Sequence, residues 1–475
     1  MKRTHPVYLL TQLPRFVWLL LLPLARRLME WRGALQVGNL PMLLAILLIV
    51  AAAFLRWQTR RWAVREDTLL FCSGIFLRQQ YKIPFSLITA IRENHGPLLY
   101  LFGARRIQIE TAASRKTMQS ITLLLGKRDA DTCLSAYTGE KLHPVSHMRP
   151  RDTLLAALST SNFALGLFAA APILRGTGNL FGTLVQDRFR DVLTSAQRLA
   201  ASYVPPILTT VALLALLGWA LHILKLLELY YHFSLLSNGA VLATESGLLV
   251  KRRVFLRITG LSAFAVWQTP PLSFLRRVQL GVVYAGRTGG RGEKTFLMPL
   301  FPADRVQTLI WELQGPHPDI SLRIPPDERR RAYFPAFGQI CALAGVAASA
   351  VFFTKAPLRM VFLLSTAAFP VLLLFFFPAR RRERREGASA DFRSIRTIKG
   401  FSEWTLFLLP DALRGMRVFQ TPGQAESGVC TIRTLFRTTR RERFSLHNLS
   451  VREALSAYKD KLDERHVQGS PGADA

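Results

Sequence analysis

The residues that could do chemistry are few, and most lack the partners their chemistry needs. Gly286 to Thr295 reads GRTGGRGEKT and superficially resembles a phosphate loop. That mechanism needs a glycine turn running into a helix N-terminus, whose N–H groups face the anion. Here Glu293 intrudes between Gly292 and Lys294, and Thr295-Phe296-Leu297-Met298 has the look of a strand, so a hairpin loop is expected. His143 and His147 are four apart, but Pro144 lies between them and no carboxylate or cysteine completes a metal set, so they read as linker residues. His95, His232 and His447 are isolated. Cys72, Cys133, Cys341 and Cys430 are far apart and form no CxxC, which fits small buried thiols in a reducing compartment rather than a disulfide framework or a zinc cluster. With no G-x-S-x-G, H-E-x-x-H or paired-carboxylate pattern, the expectation is a protein that is not an enzyme and uses no cofactor or metal.

What remains is positive charge. Sixty-two Lys and Arg against 31 Asp and Glu give a formal charge of +31 and a pI near 11.1. Nucleic acid would call for a groove-reading helix or stacking aromatics beside the basic residues, and neither is evident. An anionic bilayer requires only basic residues near apolar segments, each adding about 1 kcal/mol of attraction. The candidate headgroup contacts are Arg105-Arg106, Lys251-Arg252-Arg253, Arg276-Arg277 and Arg380-Arg381-Arg382. The same patches are equally well read as topology signals or as plain solubility.

The elements that would carry these patches form a repeat. From Trp62 to Thr111, Val64, Leu69 and Phe71 alternate with polar residues, Gly74 turns the chain, and a second run reaches Ile83-Pro84. Leu87 to Ile91 and Arg106 to Glu110 keep the period of two that marks half-buried strands. Thr244 onward places Gly247-Leu248 where Gly74-Ile75 stood, and Leu275-Arg276-Arg277-Val278 where Ala104-Arg105-Arg106-Ile107 stood. A third copy starts at Lys399, with Gly400 and Leu409-Pro410 at the same interval. Each copy is followed by a helical pattern: Asp131 to Tyr137, then Val306, Leu309, Ile310 and Leu313, then Ser450 with Glu453 as a capping box.

Half the residues are hydrophobic and mean hydropathy is +0.20, pointing to a membrane protein. Six apolar stretches run from Phe16 to Leu24, Leu40 to Leu55, Leu154 to Leu174, Val204 to Leu224, Tyr333 to Phe353 and Met360 to Phe377. A crossing takes about 17 to 25 residues; the first stretch is short and is read as a membrane helix lengthened upstream rather than as a signal peptide. Paired crossings would put all three β-units on the side of the N-terminus, and the Lys and Arg concentrated there make that side cytoplasmic. Arg26, Arg27 and Arg32 on the outer side of the first pair are the exception. Between Arg175 and Ser202, two readings stand: an amphipathic helix on the outer surface, or a helical loop packed on the bundle.

These residues resemble a known family. The pattern Trp62-x-Val64-x-Glu66-Asp67, Ser73-Gly74-Ile75, Ile83-Pro84, Ile88-x-x-Ile91 and Phe102-Gly103-x-Arg105, alternating with paired apolar segments, is similar to the bacterial PH-domain membrane proteins of the YdbS and YdbT kind, and the three units match the longer YdbT type. The resemblance implies an α+β membrane protein in which paired transmembrane helices alternate with three PH-like β-barrels, each closed by a C-terminal helix. The expected segments are hairpins at 1–55, 151–224 and 326–379, PH-like domains at 56–150, 225–325 and 380–467, and a disordered tail at 468–475. The expected function is a non-enzymatic scaffold or envelope-stress accessory, multi-pass in the bacterial inner membrane with N-terminus and PH-like domains cytoplasmic. The resemblance implies a hetero-oligomer with a smaller single-unit relative. Binding or handling of anionic lipid at the inner leaflet is the alternative, and a transporter subunit the weaker one, since the apolar stretches contain almost no charge.

Overall fold

The computed structural model describes residues 1–12, 40–74, 77–111, 120–161, 206–284, 295–327, 380–409, 412–436 and 443–456, with a few single residues besides. Among the described residues, twenty-one strands fall into three sets of seven. The first set is β1 (Lys2–Arg3), β2 (Arg61–Arg65), β3 (Thr68–Ser73), β4 (Gln79–Pro84), β5 (Ile88–His95), β6 (Ala104–Thr111) and β7 (Ser120–Gly126). The second is β8 (His143–His147), β9 (Ser234–Ser237), β10 (Val241–Ser246), β11 (Lys251–Arg257), β12 (Leu261–Gln268), β13 (Arg277–Tyr284) and β14 (Thr295–Pro302). The third is β15 (Leu322–Arg323), β16 (Gly387–Ala388), β17 (Ser394–Lys399), β18 (Ser402–Leu408), β19 (Leu413–Phe419), β20 (Val429–Phe436) and β21 (Arg443–Ser450).

The repeat extends to local detail. Gly74 and Gly247 turn equivalent loops at φ +125 and +106. A Cβ there would fall 1.9 Å from the Leu77 carbonyl oxygen and 2.1 Å from that of Val250, so only glycine fits. The fifth strand of each set begins with an irregularity: between Ile88 and Ala90, Leu261 and Ala263, and Leu413 and Gly415. Single-turn helices come next at Pro97–Leu101, Pro270–Phe274 and Pro422–Glu426, each with proline in its first turn, where the missing N–H costs nothing. Each set ends in a helix: Lys127–Thr138, Val306–Gln314 and residues 451–456. The first buries Ala130, Cys133, Leu134 and Tyr137, the helical spacing of one apolar face.

The units are not separate barrels. The sheets have orders β1-β2-β3-β4, β7-β6-β5-β11-β10-β9-β8, β14-β13-β12-β18-β17-β16-β15 and β19-β20-β21. The three-stranded half of one unit therefore continues into the four-stranded half of the next. Ile91 lies opposite Phe255 at the first junction and Phe264 opposite Phe407 at the second. Cores follow the junctions: Val241, Ala243 and Phe255 of the second unit join the cluster of Trp62, Leu69, Ile91 and Tyr137, while Ala265 and Trp267 join the third unit's core around Leu406 and Phe444. Each fully buried aliphatic or aromatic side chain here is worth about 1.5–3 kcal/mol.

The first strand of each unit precedes an apolar insertion and the second comes after it. Lys2 pairs with Trp62, His147 with Ser234 and Arg323 with Gly387. Thus His143–His147, expected as linker, is a strand, and it lies within 56–150 yet belongs to the second unit's sheet. Likewise Leu322–Arg323, within 225–325, belongs to the third unit's.

The expected fold class is corrected on two counts. The protein is mostly β-sheet, and among the described residues the sheets stay open instead of closing into barrels, because the strands that would close one unit are hydrogen-bonded to the next. No helix among the described residues is long and apolar enough to cross a membrane. In the helices Leu40–Thr59 and Pro206–Tyr230 the continuous runs with described side chains, 47–59 and 215–230, fall short of the roughly 17 residues a crossing needs. The stretches 16–24 and 360–377, most of 154–174 and of 333–353, the segment 175–202 but for single residues, and the tail lie outside the described residues.

Candidate functional site

A two-residue slip separates the sequence alignment of the basic pairs from the structural one. Ile91 pairs with Ile109, and its counterpart Phe264 with Val282. Counting back along each strand, Arg105 corresponds to Val278, and Arg276 to Gly103.

Arg105 is buried, 2.8 Å from Glu93 and 2.7 Å from Asp131. Arg253 reaches Glu245 at 2.9 Å and Glu93 at 4.0 Å, and Arg252 reaches Glu228 at 3.7 Å. The structure thus brings Arg105 and the 251–253 run together at the first junction, where carboxylates engage three of the four cations; Lys251, opposite His95, is exposed, as is Arg106 on β6. Arg382 lies 3.5 Å from the buried Glu386, Arg381 is half-buried, and Arg380 is exposed at the start of the helical residues 380–385.

Arg276 and Arg277 stand apart from these and line a cleft of about 1000 Å³. Three elements shape it: the turn after Pro270–Phe274, the start of helix Pro150–Thr160, and the start of helix Val306–Gln314. They contribute Arg149, Arg151, Arg276, Arg277 and Arg305 against the carboxylates Asp152, Asp304 and Glu312. Among the described residues none of these five guanidinium groups makes an ion pair, so their charge is available to a ligand. Two helix N-termini add partial positive charge on the same side. Apolar Leu275, Leu300 and Phe301 also line it. His147, put here by its strand, also lines the cleft.

Arg276 is held at φ +51. The equivalent turns of the other units use Gly103 at +62 and Gly428 at +65. Its N–H donates to the Ser273 carbonyl and its own carbonyl accepts from Ala303 N–H, at 3.2 and 3.1 Å, which fixes the turn. An L-residue in this conformation is strained by about 1–2 kcal/mol, and such strain gathers at functional sites. Sequence reasoning found Arg276-Arg277 but missed Arg149, Arg151 and Arg305, whose turns and caps carry no motif.

The cleft adjoins the root of the second apolar insertion. Helix Pro150–Thr160 leads into it and helix Pro206–Tyr230 returns from it, and Trp219 Nε1 donates to Ser161 Oγ at 2.9 Å where they meet. An anion held here would sit at the base of apolar helices. Among the described residues no cluster of His, Cys, Asp or Glu could hold a metal ion. The glycine loop before Thr295 lies outside the described residues, and it leads into strand β14, paired with β13, where a phosphate loop would lead into a helix.

Residues 9–138 match the family model for the bacterial PH domain. The chain is 20% identical over 331 residues to UPF0699 transmembrane protein YdbT of Bacillus subtilis (strain 168), an alignment covering 64% of this chain and 65% of that protein. No solved structure matches significantly. The family these comparisons return is the one the residues themselves resemble, the bacterial PH-domain proteins of the YdbT kind.

Proposed function

We propose that this is a non-enzymatic membrane protein that carries three fused PH-like units at the cytoplasmic face of the bacterial inner membrane and binds anionic phospholipid headgroups in the Arg276–Arg277 cleft. The observation that carries the reading is the group of five arginines without ion-pair partners among the described residues around one cleft, at the root of an apolar insertion. Exposed leucines on the insertion helices support attachment to lipid: Leu224 is 64% exposed, and Leu47 and Leu48 of the first insertion 65% and 63%, more apolar surface than water tolerates without a partner. The name of the B. subtilis relative points the same way.

The test is native mass spectrometry of the full-length chain in mild detergent, titrated with phosphatidylglycerol or phosphatidylcholine. Anionic lipid is expected to be retained preferentially, and Arg277→Ala to weaken that binding about fivefold, the equivalent of about 1 kcal/mol for one arginine. Equal retention of both lipids sinks the proposal.

A second reading, a scaffold with a smaller single-unit relative, is favoured by the continuous seven-stranded sheets, which fuse the units into one extended surface. Stoichiometric co-purification of such a relative with the full-length chain supports it; recovery of the chain alone from membranes containing that relative counts against it.

A further inference from the structure

We propose that the two outermost sheet edges, β4 of the first unit and β19 of the third, dock onto each other between copies of this chain, so that the protein assembles head to tail. The sheet formed would have the order β21-β20-β19-β4-β3-β2-β1, which is the order already present twice within the chain. At each internal junction the strand that begins with the recurring irregularity, β5 or β12, pairs antiparallel with the last strand of the next unit's four-stranded half, β11 or β18. β19 is the third copy of the first kind of strand and β4 the first copy of the second kind. Among the described residues β19 hydrogen-bonds in its sheet only to β20, and β4 only to β3. Among the described residues, β4 and β19 thus each display one unsatisfied half of the same junction.

The side chains agree with the backbone. Val418 and Phe419 of β19 are 37% and 40% exposed, while their counterparts at the second junction, Val266 and Trp267, are 8% and 2% exposed. The third unit therefore presents apolar residues at positions that the second unit buries against its neighbour. Lys82 on β4, with Arg414 and Arg417 on β19, could instead keep the two edges solvated, as edge cations commonly do. The first junction answers that objection: β11 carries Lys251-Arg252-Arg253 and still pairs with β5 along six residues. A contact between two different edges is heterologous, so it propagates into a ring or a row instead of stopping at a dimer. This inference stands apart from headgroup binding, and either can fail alone.

The experiment uses two differently tagged full-length chains co-expressed in membranes, both with Cys72 and Cys341 changed to serine. One carries Val418→Cys; the other carries Gln80→Cys or Lys82→Cys, all at exposed positions. The first junction pairs the counterparts of Val418 and Gln80, and the second those of Val418 and Lys82, so whichever cross-link forms also reports the register. Oxidation is expected to link the unlike chains, to link neither variant to itself, and to leave a Tyr100→Cys control unlinked. Light scattering of the purified protein is expected to give a mass of several chains, reduced toward one by Val418→Lys with Phe419→Lys. A single-chain mass with no mixed cross-link overturns the proposal. So do cross-links confined to identical variants, or β19 cross-links to a different protein.

Discussion

Replacing Arg276 by glycine should make the protein more stable and a poorer lipid binder, a combination that few substitutions produce. At φ +51 the arginine is strained by about 1–2 kcal/mol relative to a residue without Cβ. Glycine relieves that strain and keeps both backbone hydrogen bonds, to Ser273 and from Ala303. Its greater freedom in the unfolded chain returns about 0.5–1 kcal/mol, leaving a net gain of roughly 0.5–1 kcal/mol. The lost guanidinium removes about 1 kcal/mol of attraction to an anionic headgroup, about a fivefold rise in Kd. Arg276→Ala separates the two effects, because alanine keeps the Cβ and the strain while losing the charge. The assay is thermal unfolding of the full-length variants in detergent free of anionic lipid, followed by phosphatidylglycerol titration. Expected are a raised midpoint for glycine alone and weakened binding for both. If the two variants unfold alike, the strain argument is wrong; if both bind phosphatidylglycerol as the parent does, Arg276 is no part of the site.

The first junction offers a second check. Glu110 is fully buried, with Arg92 Nε at 3.2 Å, and accepts a hydrogen bond from Tyr284 of the second unit at 2.7 Å. Arg92 Nη2 also donates to Tyr284 Oη and to Thr295 Oγ1. Glu110→Gln removes the counter-charge of a mostly buried guanidinium and is expected to cost about 3–5 kcal/mol, read as a lower denaturant midpoint, with much of it recovered in Arg92→Leu/Glu110→Leu. Stability should also fall on acidification. Burial lowers the pKa of His317 and of His95 below 6.5, so below about pH 6.5 the unfolded chain binds more protons than the folded one and is favoured. Changing both to glutamine should flatten the unfolding midpoint between pH 7 and 5, and an unaltered slope would refute this.

Some elements were legible in the sequence and others were hidden for physical reasons. Gly74, Gly247 and Gly400 announced the repeat because each takes a left-handed backbone, and the helix Val306–Gln314 was plain from its apolar spacing. β7, with Leu123, Leu124 and Leu125 in succession, lacks the alternation that reveals a strand exposed on one face. β1, β15 and β16 are two residues long, too short for any periodicity. Pairing between units is invisible locally, since a strand's sequence records that its edge is buried but not which strand buries it. Arg105 read as a surface cation because its partners, Glu93 on β5 and Asp131 in the helix Lys127–Thr138, meet it only once its own unit has folded, and the cleft, assembled from three separate turns, was seen only through Arg276-Arg277.

The placing of the apolar insertions gives the proposed common side of the three units a physical reason. Each insertion is spliced between two strands that pair with each other: β1 with β2, β8 with β9, β15 with β16. Paired strands lie about 4.8 Å apart, so the chain must leave and re-enter each unit at nearly one point, however deep the insertion goes. An insertion built this way cannot carry the following strands to the other face of a membrane. The junction sheets tighten the constraint, because moving one unit across would strip the ladder between β5 and β11 or between β12 and β18. Each ladder holds six residue pairs, and buried backbone groups left without partners cost about 1–3 kcal/mol apiece. Fusion through shared sheets and spliced insertions therefore support the proposed arrangement from two directions: three units held together on one side, with the Arg276–Arg277 cleft at the root of the second apolar insertion.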